Sequence, residues 1–247
     1  MNDTFGASDK RFSWPALLGL IAAASAIGAL VAEGIGTRQA WWHFSRGITI
    51  AEWAAYGAGL ALVLSLIGLI QVWPGARRRG FVPATLGVLL ALPLAVMAVQ
   101  WEYAARSYPP INDISTDIED PPVFWDMPTP TDYPGGEKAE LQRAAYPDLA
   151  PLVLAMPADK AFAAALALVE SRGWEIVAKV PEEGRIEATA SSRLFGFKDE
   201  VIVRVVAENG GAKVDVRSRS RLGLIDRGVN AKRIRAYLAD LKRRAAT

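Results

Sequence analysis

The chain contains no cysteine, and its single histidine is His43. Zinc-thiolate centres, disulfides and cysteine nucleophiles all need cysteine, so the sequence excludes them. A Ser-His-Asp triad needs a histidine in the folded domain, whereas His43 lies between two long apolar stretches. We therefore expect no metal and no cofactor, and the sequence favours binding over catalysis.

Charge is also absent from three long stretches in the first 101 residues. These stretches cover residues 12–32, 53–76 and 80–101, with 21, 24 and 22 residues. At 1.5 Å per helical residue, each is roughly 30 Å long, which matches the hydrocarbon thickness of a bilayer. The sequence predicts a three-helix transmembrane anchor over residues 1–101, so the lipid bilayer is its first expected partner.

Local charge predicts the orientation of this anchor. Arg77, Arg78 and Arg79 are the only charged residues between the second and third spans, and Lys10 and Arg11 precede the first span. The positive-inside rule places these segments in the cytoplasm. In a bacterial inner membrane, the N-terminus would be cytoplasmic and the domain after residue 101 periplasmic. Tryptophans expected at the membrane interface mark the span ends: Trp14, Trp41, Trp42, Trp53, Trp73 and Trp101.

An acidic, proline-rich segment follows the anchor. Residues 102–148 carry ten acidic and three basic residues, and seven prolines fall within 107–134. Because proline fixes φ and favours extended geometry in the residue before it, we interpret this segment as a semi-rigid linker. Residues 149–247 have the opposite balance, with 18 basic and 12 acidic residues.

The remaining residues, 149–247, show regular hydrophobic periods. Phe162, Leu166 and Val169 have helical spacing, and Ile234, Tyr237 and Leu241 mark a second helix. Between them, residues 174–180, 185–192, 200–207 and 213–221 are typical of strands joined by tight turns. The order of helix, about four consecutive strands and helix predicts a two-layer α+β domain with an antiparallel sheet.

Five segments resemble the domain of unknown function 1499 family: ISTDIEDPPVF at 114–124, RIEATA at 185–190, FGFKD at 195–199, DVRSRSR at 215–221 and GVNAKRI at 228–234. The resemblance covers roughly residues 111–245. It implies an envelope or lumenal α+β domain and supplies no activity. Members often carry a histidine where this chain has Asn112.

The last predicted strand carries cations at alternate positions. Lys213, Arg217, Arg219 and Arg221, which we call the arginine ladder, project from one sheet face. Carboxylates on neighbouring strands could pair with them, as could the acidic linker. Alternatively, the ladder could bind an anionic group, with Asn230 at the start of the last helix as a further contact.

Three functions remain open on this basis. The first is a non-catalytic envelope module that binds an anionic lipid, a cell-wall polymer or an acidic protein through the basic sheet face. The second is an accessory subunit of a membrane complex, docked through the small residues Ala24, Gly28 and Ala32 or Gly57 and Ala61. The third is a hydrolase that uses Glu187 with Asp199 or Glu200. A nucleic-acid partner is not expected.

Overall fold

The structure is a computed structural model that describes residues 11–74, 76, 78–128, 132–192 and 195–246. It has two compact units, 1–103 and 104–247. The first unit contains the apolar helices and the second contains an antiparallel sheet with its helices. The predicted fold class, three membrane-capable helices followed by an α+β domain, is confirmed.

The anchor helices are α1 (Trp14–Arg38), α2 (Phe44–Gln71) and α3 (Phe81–Ser107). Each is long and apolar enough to cross a membrane. The Ser13 hydroxyl caps α1 by accepting a hydrogen bond from the Ala16 amide. Each helix extends beyond its charge-free stretch at one end and falls short of it at the other.

Small residues let the anchor helices approach one another closely. The Ser65 hydroxyl of α2 packs against Gly19 of α1 and Gly87 of α3. A Cβ added at either glycine would lie within 2.3 Å of the Ser65 hydroxyl, so the absence of a Cβ allows this contact. Gly68 of α2 packs directly on the backbone of Ala16. These contacts hold the three helices together by backbone proximity.

The small residues singled out from the sequence divide into two groups. Ala61 is buried inside the anchor, and a Cβ at Gly57 would lie 3.8 Å from Ala26. Ala24, Gly28 and Ala32 are all exposed on α1 instead, and no atom lies within 4 Å of a Cβ built at Gly28. That face of α1 is uncovered in the described part of the chain.

The basic segments meet at one end of the anchor. Strands β1 (Arg11–Phe12) and β2 (Arg78–Arg79) pair in parallel, with Arg11 opposite Arg78. Arg77 and Lys10 lie outside the described residues. Five interface tryptophans are exposed (Trp14, Trp41, Trp53, Trp73 and Trp101), and Trp42 is half-buried.

The candidate spans include charged residues that lie outside the charge-free stretches, and Glu33 is the buried one among those described. Because α1 continues past residue 32, it includes Glu33, which is buried. Its carboxylate accepts a hydrogen bond from the Thr37 hydroxyl at 3.0 Å.

The domain follows the predicted order of elements. Helix α5 (Ala158–Ser171) precedes strands β5 (Glu175–Val180), β6 (Arg185–Ser191), β7 (Lys198–Glu208) and β8 (Gly211–Ser220), and α6 (Val229–Ala245) follows them. Elements that the sequence did not predict are β3 (Asp113–Ser115), α4 (Gly136–Ala145) and β4 (Leu152–Leu154). All six strands form one sheet in the order β3-β8-β7-β6-β5, and β4 also pairs with β8.

One face of this sheet forms the hydrophobic core with α5 and α6. Its strand side chains are small or β-branched: Ile186, Ala188, Val201, Val203, Val205, Val214 and Val216. The helices contribute Phe162, Leu168, Ile234, Tyr237 and Leu241. The Tyr237 hydroxyl donates to the Ala165 carbonyl at 2.8 Å, so this buried polar group is hydrogen-bonded.

The acidic segment 102–148 differs from the predicted extended linker. Residues 113–115 pair with β8 as an edge strand, and residues 136–145 form a helix. Residues 116–128, which we call the strap, cross the sheet face opposite the helices, where Phe124 and Met127 pack on Ile202. The prolines of the strap are compatible with this path. The strap has no regular secondary structure, but side-chain contacts fix its position on the sheet.

Candidate functional site

The arginine ladder lies on the sheet face that the strap covers. Lys213, Arg217, Arg219 and Arg221 share the parity predicted from the sequence, and Val214 and Val216 point to the helices. Burial differs along the ladder. Arg217 is fully buried, Arg219 is 6% exposed, and the Lys213 and Arg221 side chains are 21% and 27% exposed.

Arg217 is held by hydrogen-bond acceptors and aromatic rings. Its Nε and Nη2 atoms donate to the two carboxylate oxygens of Asp113 at 2.9 and 2.7 Å. Nη1 donates to the Pro122 carbonyl at 3.0 Å, and the guanidinium lies over the rings of Phe124 and Tyr133. A buried guanidinium with this two-pronged geometry is a structural ion pair and is not presented to solvent.

The next two arginines share one carboxylate. Nε of Arg219 donates to Oε2 of Glu200 at 2.6 Å, and Nε of Arg221 donates to Oε1 at 2.9 Å. Glu200 is fully buried on β7, opposite Arg219 in the sheet register. Arg219 also lies 4.5 Å from the centroid of the Phe124 ring in the strap. Each arginine of the ladder therefore contacts a carboxylate within the domain.

Further ion pairs hold the strap to the same face. Lys213 Nζ donates to Asp117 at 3.0 Å, and Arg204 of β7 contacts both Asp120 and Asp215 at 2.9 and 3.0 Å. These contacts join strap carboxylates to cations on two central strands. Carboxylates of the strands and of the acidic segment therefore both pair with the ladder, as two of the sequence-based alternatives proposed. The face is not an exposed basic surface.

A strand carboxylate also fixes the strap backbone. The two oxygens of Glu187 accept the backbone N–H groups of Trp125 and Asp126 at 2.7 and 3.1 Å. Arg185 Nη1 lies 2.6 Å from the same carboxylate and also contacts Asp126. Glu187 is fully buried, so these donors replace the water that an ionised carboxylate loses on folding.

This environment shifts several pKa values. Burial raises the pKa of Asp215, although Arg204 and Lys213 act in the opposite direction. For Asp117, burial alone would raise the pKa, but the backbone N–H groups of Asp120 and Glu119 together with Lys213 hold it below its ordinary value.

Asn230 also has a structural position. It is fully buried, its amide nitrogen donates to the Asn112 carbonyl and to the Ser220 hydroxyl, and its amide oxygen accepts from Ser218. Asp226 caps α6 by accepting the backbone N–H groups of Gly228 and Asn230. Asn230 thus connects the capped start of α6 to the sheet.

Asn112 joins the start of the sheet to a surface loop. Its side-chain amide donates to the Gly223 carbonyl at 2.6 Å, and its carbonyl accepts the Ser220 amide at 2.8 Å. Asn112, which stands where family members often carry histidine, thus holds the loop after β8 in place.

The carboxylates considered for hydrolysis lack an open arrangement. A glycosidase needs two carboxyl groups that face the scissile bond of the sugar. Glu187 and Glu200 are both fully buried and engaged by strap amides or arginines. Asp199, 8% exposed, contacts Arg233. Among the described residues, no group of three or more acidic or histidine side chains could hold a metal ion.

The amino-acid sequence of the domain matches a known protein family. Residues 113–241 match the family described as "Protein of unknown function (DUF1499)", which is more than half of the chain. The chain belongs to the DUF1499 family. The match begins at the first residue of β3 and ends within α6, so the DUF1499 region includes the strap as well as the sheet. No curated protein matches the chain.

Proposed function

We propose that this DUF1499 protein is a membrane-tethered, non-catalytic interaction module of the cell envelope, which binds an anionic partner at the Arg221 end of the ladder. The observation that supports this location is that Arg221 is the most exposed arginine of the ladder. Arg217 and Arg219 are sealed between the sheet and the strap, whereas Arg221 retains 27% exposure at the end of β8. An incoming anion reaches Arg221 without displacing the strap.

The proposal includes an orientation, with the N-terminus in the cytoplasm and the DUF1499 domain in the periplasm of a bacterial inner membrane. The pairing of Arg11 with Arg78 supports it, because it gathers basic residues from two segments at one end of the anchor. A periplasm-dependent alkaline phosphatase fused after Thr247 should be active. An inactive fusion, beside an active fusion to a known periplasmic protein, would reverse the orientation.

Photo-crosslinking in cells tests the binding surface in the full chain. A photoreactive amino acid replaces Leu222, next to Arg221, and a matched variant carries it at Val153, an exposed residue on edge strand β4. Position 222 should give a specific adduct to an anionic lipid, a cell-wall polymer or an acidic protein surface, and position 153 should not. Equal adducts at the two positions would reject the proposed surface.

A second function, an accessory subunit of a membrane complex, is favoured by the uncovered face of α1. Ala24, Gly28 and Ala32 are exposed there at four-residue spacing, which allows close approach of another helix. A detergent pull-down at native expression separates this function from the first. A stoichiometric membrane partner that survives deletion of residues 102–247 supports the subunit function, whereas loss of the partner supports binding through the domain.

A further inference from the structure

The loop between β8 and α6 exposes several apolar side chains in succession. Leu224 is 76% exposed, and Leu222, Ile225 and Val229 are also exposed. The nearby carboxylate, Asp226, is buried in the α6 cap. A run of exposed apolar residues on a folded domain marks an interaction surface when nothing in the domain covers it.

A second loop with apolar residues lies beside the first. The hairpin between β6 and β7 carries Phe195 and Phe197, which are half-buried and whose ring centroids lie 5.6 Å apart. A backbone hydrogen bond connects the bases of the two loops, since the Arg221 amide donates to the Lys198 carbonyl at 3.2 Å. Both loops therefore project from the same end of the sheet.

Basic residues flank both apolar loops. In the sequence, RLFGFK at 193–198 and RLGLIDR at 221–227 have the same form, with arginine or lysine on each side of leucine, isoleucine or phenylalanine. Lys198 is exposed and lies 3.5 Å from an exposed carboxylate, Glu175, so this pair is weak. The other acids near the loops, Asp199, Glu200 and Asp226, are buried. Apolar tips with a cationic border suit the boundary between acyl chains and anionic headgroups.

Chain connectivity limits how far this end of the sheet can lie from the membrane. Ser107 ends α3, about 9 Å beyond Trp101 along the helix at 1.5 Å per residue. Asn112, which is hydrogen-bonded to Gly223, is five residues further, so the chain between Ser107 and Asn112 spans at most about 18 Å. This limit depends on chain length alone, and a connection this short allows the apolar loop to reach the lipid headgroups.

We propose that these two loops contact the bilayer that carries the anchor, with Leu222, Leu224 and Ile225 among the upper acyl chains and Arg221 at lipid phosphates. This inference rests on the proposed function and names its anionic partner as lipid.

Site-directed labelling of the full chain tests this contact, and the absence of native cysteine makes it direct. Single cysteines replace Leu224, or as matched controls Val153 or Val177, which are exposed apolar residues on the edge strands β4 and β5. Each variant receives an environment-sensitive dye and is placed in nanodiscs of zwitterionic lipid, or of zwitterionic and anionic lipid mixed. Quenching is then measured with spin-labelled lipid and with a water-soluble quencher.

The proposal predicts that the dye at position 224 shifts to shorter wavelength, is quenched by spin-labelled lipid and is protected from the aqueous quencher. The shift should be larger when anionic lipid is present, and the dyes at 153 and 177 should behave as water-exposed groups in both lipids. If the dye at 224 is as water-accessible as the controls, the lipid contact is rejected. In that case a specific photo-adduct to a polymer or protein at position 222 would still support the proposed function, whereas no specific adduct would reject both.

Discussion

Arg217 of β8 and Asp113 of β3 form a two-pronged ion pair inside the DUF1499 domain, with N···O distances of 2.9 and 2.7 Å. The residues are 104 positions apart, and their pairing joins the segment that leaves the anchor to the centre of the sheet. Because both are buried, removing either partner leaves an uncompensated charge. Arg217→Gln and Asp113→Asn should each lower the free energy of unfolding by about 3–5 kcal/mol.

The measurement is the urea concentration at which protease cleaves the domain of the full chain in detergent. Arg235→Gln is the matched control, since the Arg235–Asp148 pair has similar distances but side chains that are 38% and 55% exposed. It should cost at most about 1 kcal/mol. Equal effects of Arg217→Gln and Arg235→Gln would contradict a structural role for the buried pair.

Glu187 fixes the strap through its two carboxylate oxygens. Glu187→Gln places an amide N–H₂ group opposite one of the strap N–H donors at Trp125 and Asp126, so one of those hydrogen bonds is lost. We expect a loss of about 1–3 kcal/mol and faster amide hydrogen exchange in residues 122–128, with little change in α5. Glu182→Gln, in the exposed turn before β6, is the control. Unchanged exchange in the strap would show that Glu187 does not hold it.

Asp117 should make the stability of the domain depend on pH. Its pKa in the folded protein lies below the ordinary value of 3.8, where burial is outweighed by backbone N–H groups and Lys213. A depressed carboxyl pKa contributes stability above the unfolded-state value, and this contribution is lost as the pH falls through the folded-state pKa. At pH 7, Asp117→Asn should cost about 1 kcal/mol. The difference from the native chain should shrink as the pH falls below 3.8, and a constant difference would contradict the assignment.

The anchor offers a matched pair of glycines. A Cβ at Gly68 would lie 2.6 Å from the Cα of Ala16, whereas a Cβ at Gly28 meets no atom within 4 Å. Gly68→Ala should therefore separate α1 from α2 and destabilise the anchor by about 1–3 kcal/mol, and Gly28→Ala should leave it unchanged. Helix content during titration with denaturing detergent measures both. A similar loss in the two variants would argue against the helix packing described here.

The fold of residues 158–245 could be predicted because its elements have regular hydrophobic periods. Ile186, Ala188 and Ala190 alternate with polar residues, and Phe162, Leu166 and Val169 have helical spacing. The parity of the arginine ladder followed from the same period of two. Family resemblance extended the domain towards residue 111, in agreement with the match that begins at residue 113.

The strap could not be predicted from periodicity, because its position is fixed by pairwise contacts. Asp117 and Asp120 contact Lys213 and Arg204, which lie 96 and 84 residues later in the sequence. Phe124 packs under Arg219 without any local repeat. The useful signal was the charge difference between the acidic segment and the basic domain. It indicated internal pairing as one alternative, but it could not indicate which acid meets which arginine.

The two ends of the ladder provide the most direct test of the proposed function. Lys213 lies in β8 and Arg221 directly follows its last residue. The two side chains have comparable exposure, but only Arg221 adjoins the apolar loop. Photo-crosslinking from position 222 is compared in Arg221→Gln and Lys213→Gln chains of equal expression. The account predicts a several-fold loss of the specific adduct in Arg221→Gln and no loss in Lys213→Gln. Equal yields in the two variants, whether both reduced or both unchanged, would contradict binding at the Arg221 end.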